Sequence, residues 1–231
     1  MGEVQHAVLG GVGLAYELHG DSDAPPLVLL HALGEGRSDW APVVNRFAEH
    51  FRVVTVDLRG HGDSDWPGTY SFQLMADDVL RLLDHLGLNH VRLLGHSMGG
   101  CVAYLIAEQS PGRVELLIVE DAPPPFVRER AVPERPEGQL DFDWAVVPAI
   151  VGEVSSGNQT MWDRLSSITA PTLLVGGGPD SHIPQEKLQE VAERIPDCSL
   201  VTIPAGHLVH AKRATDFTDA VLGWFVRTPL S

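Results

Sequence analysis

A serine between two glycines, in the segment Gly-His-Ser-Met-Gly at residues 95–99, is the feature of this chain best suited to covalent chemistry. The apolar residues 91–94 before it predict a strand, and the apolar spacing that begins at Met98 predicts a helix. A serine in so sharp a strand-to-helix turn has a strained backbone, and side chains in place of the two glycines would collide with neighbouring chain. The turn would expose the Ser97 hydroxyl and place the Met98 N–H at a helix N-terminus, where an anion is favoured. The pattern therefore predicts a nucleophile for attack on a carbonyl, with Met98 as a donor to the oxyanion.

Strands and helices alternate along the chain on both sides of this turn. A hairpin is predicted over residues 4–19, followed by strands at 27–30, 53–56, 91–94, 115–119, 172–175 and 200–203, with helices near 40–49, 74–86, 98–106, 185–194 and 215–226. Runs of four apolar residues are typical of strands buried on both faces. The alternation therefore predicts an α/β protein with a doubly wound, mostly parallel sheet, and ligands at the carboxyl ends of its strands.

Residues 122–165 interrupt this alternation. They hold six prolines, too many for another strand–helix unit, and are too apolar for a disordered linker. We expect a short proline-rich lid here, with helices near 146–154 and 161–165, inserted into a core made of residues 1–121 and 166–231. Four aromatic side chains of this segment are candidates to line a substrate pocket: Phe126, Phe142, Trp144 and Trp162.

The composition limits the classes of partner. The formal net charge is −15, from 31 acidic and 16 basic residues, which disfavours nucleic acid and anionic membrane surfaces. Two cysteines do not suggest a disulfide framework, and the N-terminus lacks a signal-peptide pattern, so we expect a cytoplasmic protein. No run approaches 18 apolar residues, so no membrane span is expected. The expected partner is a small-molecule substrate, and the oligomeric state is not indicated.

These motifs together resemble the α/β-hydrolase fold superfamily, in particular its serine esterases, lactonases and cofactor-free haloperoxidase-like members. The resemblance spans nearly the whole chain outside the lid and rests on residues 31–34, 57–64 and 95–100, on Asp180 with Pro184, and on Gly206-His207. It implies an eight-stranded sheet, a small lid insertion and the chain order nucleophile, acid, histidine. We expect no cofactor and no metal, because His207 and His210 in a His-x-x-His spacing lack a further ligand.

The resemblance also assigns the partners of Ser97. His207 follows a predicted strand and would act as the base. Asp180, after the strand at 172–175, is the favoured acid, although three glycines replace the charged loop often found there. Glu120 is the alternative acid, and Asp121 is a third choice that fits a turn residue better.

A second oxyanion donor is implied at the N–H of Leu33, in a loop where Ala32 replaces the usual glycine. The other polar residues of the motifs are expected to brace the site rather than to react: His31, Asp57, Arg59, His61, Ser64 and His96.

Three functions remain open at the level of sequence. The first is a serine hydrolase that cleaves an ester, thioester or lactone of a small, largely apolar substrate through an acyl-serine intermediate. The second is a carbon–carbon bond hydrolase or lyase with the same triad, in which Arg128, Arg130 and Arg135 of the lid could hold a carboxylate. The third is a binding module without turnover, which an intact triad disfavours.

Overall fold

Eight strands form a single sheet in the computed structural model of the protein, which describes residues 3–228. The strands are β1 Gln5–Leu9, β2 Val12–His19, β3 Pro26–Leu30, β4 Arg52–Val56, β5 Val91–His96, β6 Val114–Glu120, β7 Thr172–Gly176 and β8 Cys198–Thr202. Their order is β1-β2-β4-β3-β5-β6-β7-β8. Strands β3 to β8 are parallel, and β2 runs antiparallel to both β1 and β4. The predicted eight-stranded, mostly parallel sheet is confirmed, and the outermost ends of the predicted core, residues 1–2 and 229–231, lie outside the described residues.

Helices cover both faces of the sheet. They are α1 Ala41–Ala48, α2 Phe72–His85, α3 Met98–Gln109, α4 Val146–Ser156, α5 Gln159–Arg164, α6 Gln185–Arg194, α7 Val209–Lys212 and α8 Ala214–Arg227. Alternate residues of β3 serve the two layers: Val28 and Leu30 pack into the cluster under α2 and α3, whereas Leu27 and Leu29 pack into the cluster under α1 and α8. This two-sided burial explains the continuous apolar run in the sequence. Within residues 3–228, every helix is too short or too polar to cross a bilayer.

The chain between β6 and β7 leaves the sheet and returns to it. Its two helices, α4 and α5, occupy the positions expected from the sequence and bury Val146, Ile150, Met161 and Trp162 in the larger apolar cluster. Residues 129–139, which lie between β6 and α4 in the chain, are exposed and form no helix or strand. The segment is therefore anchored to the core through its helices.

Candidate active site

The turn between β5 and α3 has the strained backbone that the sequence predicts. Ser97 adopts φ 52° and ψ −111°, in a region that residues with a side chain rarely occupy. A Cβ atom on Gly95 would lie 2.2 Å from the carbonyl oxygen of Gly99, and one on Gly99 would lie 2.2 Å from that of Leu30. Glycine is therefore required at both positions, and the turn presents Ser97 at the carboxyl end of β5.

His207 connects Ser97 to a carboxylate. Its Nε2 lies 2.9 Å from Ser97 Oγ, and its Nδ1 lies 2.8 Å from Asp121 Oδ2. An ionised carboxylate only accepts hydrogen bonds, so Nδ1 carries the proton of the neutral ring and Nε2 accepts from the serine hydroxyl. This is the arrangement of a nucleophile, a general base and an orienting acid.

Asp121 is held in place by several donors. It follows directly after β6 and has a φ of 48°. Among residues 3–228, Asp121 and Ser97 are the two non-glycine residues with a positive φ. Oδ1 accepts hydrogen bonds from the Gly177 N–H at 2.9 Å and from Gln185 Nε2 at 3.1 Å, and Oδ2 accepts from the Ser181 hydroxyl. Burial opposes ionisation, but these bonds and His207 hold the pKa of Asp121 below its usual range. The carboxylate is therefore charged at neutral pH.

The expectation that Asp180 pairs with His207 is corrected by this geometry. Asp180 lies after β7 and is exposed. The backbone at the end of β7 passes so close to the histidine loop that a Cβ on Gly177 would lie 2.1 Å from the carbonyl oxygen of Gly206. The loop after β7 instead binds the carboxylate of Asp121, which arrives from the neighbouring strand β6, through the Gly177 N–H.

Glu120, the alternative acid, binds a different histidine. Its carboxylate lies 2.8 Å from Nδ1 of His210 and accepts from the His210 backbone N–H at 3.0 Å. On the other side, Nε2 of His210 lies 3.3 Å from Asp39 Oδ2. Burial by itself lowers the pKa of His210, but the two carboxylates together raise it to about 10. Glu120 therefore belongs to a buried ion-pair cluster behind the site.

This cluster also contains a set of atoms that could ligate a metal. Asp39, His96 and His210 each present one ligand atom, and these atoms lie within 4.8 Å of one another. His96 Nε2 donates to the carbonyl oxygen of His207 at 2.8 Å. The pKa of His96 is lowered to about 4, mainly by burial. His210 carries protons on both ring nitrogens at neutral pH because of its raised pKa, so it acts as a cation between carboxylates. The cluster thus supports the histidine loop from below as an ion pair.

The two residues expected to donate to the oxyanion line the same cavity as the serine. Leu33 and Met98 both line it, and in the part of the chain that the structure describes neither N–H donates to a protein acceptor. The loop of Leu33 is fixed by two histidines: His31 Nε2 accepts from the Leu58 N–H at 2.9 Å, and His61 Nε2 accepts from the Gly34 N–H at 3.2 Å. His31 and His61 therefore brace the loop, as expected.

The remaining polar residues of the 57–64 motif also form contacts within the protein. Asp57 accepts from the backbone N–H of Arg37 at 2.6 Å and from that of Asp63 at 3.0 Å. Arg59 forms a buried ion pair with Asp78, and Ser64 donates to the backbone oxygen of Asp57. These contacts fix the chain at the end of β4 next to the oxyanion loop.

The cavity at the serine has a volume of about 330 Å³. Its apolar wall includes Phe72, Phe126, Ile150 and Val154, together with the consecutive prolines 123–125. The exposed surface of this cavity is mainly apolar, which suits a small ligand with an apolar body.

Three of the four aromatic residues expected to line the pocket lie elsewhere. Phe142 stacks on His61 with 5.9 Å between ring centroids, and Trp144 packs beside Phe142. Trp162 is buried and donates from Nε1 to the carbonyl oxygen of Pro125 at 2.9 Å. Only Phe126 of the four lines the cavity within the described residues. Phe142 and Trp162 fix the proline-rich segment to the core, a role that composition does not distinguish from ligand binding.

Sequence reasoning missed the neighbours of the triad on the loop after β7. The ring of His182 packs edge-on against His207 with 4.3 Å between centroids and lines the cavity, while Ser181 and Gln185 bind Asp121. Burial, followed by the charge of His207, lowers the pKa of His182 to about 4, so the ring is neutral at physiological pH. No spacing in the sequence connects these residues to Asp121, which lies 60 positions from Ser181.

Comparison with known proteins agrees with this architecture. The chain is 29% identical over 265 residues to the sn-1-specific diacylglycerol lipase of Mus musculus, covering 94% of this chain and 86% of that protein. Its structure resembles the enol-lactonase from Burkholderia xenovorans with a TM-score of 0.88 and 25% identity, covering 96% of this chain and 100% of the other. It also resembles a thermophilic esterase from Thermogutta terrifontis with a TM-score of 0.82 and 26% identity, covering 97% and 98% of the two chains. Residues 25–162 match the sequence profile of the alpha/beta hydrolase fold, and the chain therefore belongs to the alpha/beta hydrolase fold family of hydrolases.

Proposed function

We propose that the protein is a serine hydrolase that cleaves an ester, thioester or lactone of a small substrate through an acyl-serine intermediate on Ser97. The observation that carries the proposal is the position of His207 between Ser97 and Asp121, at 2.9 and 2.8 Å from their oxygens. The esterase and lactonase relatives agree with this reaction class. A protein that only binds a ligand has no need of a strained serine bonded to a histidine.

The first half of the reaction acylates the serine. Ser97 Oγ attacks the substrate carbonyl carbon while its proton passes to His207 Nε2, and the carbonyl oxygen becomes an oxyanion. Asp121 accepts from Nδ1 and stabilises the imidazolium. When the tetrahedral intermediate collapses, the bond to the departing oxygen or sulfur breaks, Nε2 gives its proton to this atom to form an alcohol or a thiol, and the acyl group remains on Ser97. In the second half, His207 Nε2 takes a proton from a water molecule as the water oxygen attacks the acyl carbon. The bond from Ser97 Oγ to this carbon then breaks, Nε2 returns the proton to Oγ, and the acid is released.

The oxyanion is stabilised in this account by the free N–H groups of Leu33 and Met98 in the cavity wall. Removing one donor of this kind typically costs about a hundred- to a thousandfold in rate. His31 and His61 hold the loop of Leu33, so we expect this donor to be in position before the substrate binds.

The proposal is tested by the kinetics of 4-nitrophenyl acetate hydrolysis. We expect a burst of nitrophenol stoichiometric with enzyme if deacylation is slower than acylation, and steady turnover in either case. Ser97→Ala should abolish turnover, whereas Ser199→Ala, at an exposed serine of β8, should not change it. Equal turnover by wild type and Ser97→Ala would refute the proposal.

The same triad would also serve a carbon–carbon bond hydrolase or lyase, the second function that the sequence allows. The two functions differ in the bond that breaks next to the attacked carbonyl. An enzyme that releases no nitrophenol from any ester, but cleaves a diketone in a reaction that needs Ser97, would have the second function.

A further inference from the structure

We propose that the cavity selects substrates that carry a free carboxylate besides the scissile ester, thioester or lactone, and that Arg128 and Arg130 bind this carboxylate. The inference rests on the proposed function, because it names the substrate class of the same site. It concerns binding and is therefore testable without turnover.

Both arginines line the cavity that contains Ser97 and His207. Arg135, the third arginine of the segment, is exposed and does not line it. Arg128 is half-buried in the cavity wall and Arg130 is exposed but also lines the cavity, whereas Arg135 is exposed and lies outside its lining.

Arg128 is held in the cavity wall and has one buried hydrogen-bond donor without a partner in the described part of the chain. Its backbone N–H donates to the Ser155 carbonyl oxygen at 3.2 Å, and its guanidinium lies over the Phe126 ring, 4.9 Å from the centroid. Its Nε is buried and has no hydrogen-bond partner in residues 3–228. A buried, unpaired donor on a charged group is costly, and a ligand carboxylate would satisfy it.

No carboxylate within residues 3–228 neutralises the two cavity arginines, although the chain is acidic. The sequence has 31 acidic and 16 basic residues, and arginines elsewhere, such as Arg37, Arg59 and Arg113, bind aspartate or glutamate. Among the described residues, neither Arg128 nor Arg130 forms an ion pair. Burial and the charge of Arg130 lower the pKa of Arg128, as expected for two like charges with no counter-ion between them.

The charges that face the arginines across the cavity leave room for an anion. Two carboxyl groups line the cavity, those of Glu35 and Asp121. Burial and the charge of Asp39 raise the pKa of Glu35, and no ion pair joins Glu35 to either arginine. Asp121 is occupied by His207 and its other donors. His182, which also lines the cavity, has its pKa lowered to about 4 by burial, His207 and the arginines, and is neutral. The two guanidinium groups are therefore the positive charges available to a ligand at neutral pH.

The cavity volume limits the size of this substrate. About 330 Å³ is at the lower end of the range for small-molecule sites. We therefore expect a short carboxylated acyl group or lactone, whose apolar carbons contact Phe72 and Ile150 while its carboxylate meets the arginines.

The binding test uses glutarate, a small dicarboxylate, and isothermal titration calorimetry on the Ser97→Ala protein. Glutarate should bind, and a further Arg128→Gln change should weaken binding about 10- to 100-fold, the usual effect of losing a charge-assisted hydrogen bond. Arg130→Gln should weaken it less, and Arg135→Gln is the matched control that should leave it unchanged. No binding of glutarate, or equal loss in the Arg135→Gln control, would overturn the proposal.

The kinetic test compares the 4-nitrophenyl monoester of glutarate with 4-nitrophenyl valerate, its uncharged counterpart. Wild type should have the higher kcat/KM for the charged ester. Arg128→Gln should lose this preference mainly through KM, and Arg128→Lys should keep part of it. Arg135→Gln, outside the cavity lining, should keep the wild-type kcat/KM for both esters. Equal kcat/KM for both esters in wild type, or an equal loss for both in Arg128→Gln, would overturn the proposal.

The failure of the proposed function would look different. If neither ester is cleaved but glutarate binding depends on Arg128, the carboxylate subsite stands and the hydrolase activity does not. If both esters are cleaved without a preference, the hydrolase activity stands and the subsite does not.

Discussion

At the scale of single residues, the site depends on two carboxylates that are adjacent in the chain and have different partners. Asp121 turns toward His207 because its positive φ redirects the chain after β6, and Glu120 turns toward His210 on the opposite side. The first carboxylate orients the histidine that contacts the serine. The second stabilises the loop that carries this histidine.

The role of Asp121 leads to a prediction about catalysis. Asp121→Asn should lower kcat for 4-nitrophenyl acetate by about 10³- to 10⁴-fold, because the amide no longer fixes the His207 tautomer or stabilises the imidazolium. Asp180→Asn, at an exposed position, should retain the wild-type rate. An inactive Asp180→Asn with an active Asp121→Asn would contradict the assignment of the acid.

The role of His210 leads to a prediction about stability. His210→Ala leaves Glu120 and Asp39 buried without their counter-ion, which should cost about 3–5 kcal/mol and lower the melting temperature by about 6–20 °C. The control is His6→Ala, at an exposed histidine of β1. A melting temperature of His210→Ala within a degree or two of wild type would show that the cluster does not stabilise the fold.

This contribution should also depend on pH in a definite direction. The pKa of His210 rises to about 10 on folding, so the ring binds its proton more tightly in the folded state than in the unfolded chain. The stabilisation is complete below about pH 6.5, the ordinary histidine value, and is lost as pH rises toward 10. The gap in melting temperature between wild type and His210→Ala should therefore narrow between pH 6.5 and pH 9.5. A gap that widens over this interval would contradict the charged state assigned to His210.

At the scale of elements, the strand-to-helix turn depends on close contact between backbones. The end of β5 approaches the first turn of α3, and this turn approaches the end of β3, with no space for a side chain at Gly95 or Gly99. The position of the nucleophile relative to the oxyanion loop follows from this packing, because the Gly99 N–H donates to the His31 carbonyl oxygen at 3.1 Å.

A substitution in this turn should therefore disturb both fold and activity. Gly99→Ala brings a Cβ to 2.2 Å from a backbone oxygen, and we expect a loss of about 3 kcal/mol or more together with the loss of ester turnover. Gly152→Ala is the control, because a Cβ there meets no atom within 4 Å in helix α4 and should be neutral or stabilising by up to about 1 kcal/mol. Thermal unfolding and turnover measure both effects, and a fully active, stable Gly99→Ala would refute this packing argument.

At the scale of the whole molecule, the segment between β6 and β7 combines an exposed stretch with two anchored helices. Residues 129–139 are exposed, whereas α4 and α5 bury apolar side chains against the sheet layer. We propose that residues 122–165 act as the lid of the cavity, since Phe126, Arg128 and Ile150 line it.

Limited proteolysis tests how this segment is attached. Trypsin should cleave first after Arg130 or Arg135, because both lie in the exposed stretch without a helix or strand. The two fragments should elute together in size-exclusion chromatography, since α4 and α5 hold the second fragment to the first. First cleavage within α4, or separation of the fragments in native buffer, would contradict the anchoring of the lid.

The sequence was sufficient for the features that depend on local pattern. The apolar runs of the strands, the glycines around Ser97 and the loop that carries His207 are each encoded within a few residues. The acid was not predictable in this way, because the choice between Asp121 and Asp180 depends on how the ends of β6 and β7 approach the histidine loop. The pocket aromatics failed for a similar reason: Phe142 and Trp162 have partners on distant segments that their spacing does not reveal.

The most direct test of the account is covalent labelling with a fluorophosphonate probe, followed by peptide mapping by mass spectrometry. We expect a single adduct on Ser97, slow labelling in His207→Ala and none at this position in Ser97→Ala. An active, folded protein that remains unlabelled, or one labelled on another serine while Ser97 stays free, would contradict the claim that Ser97 is the nucleophile.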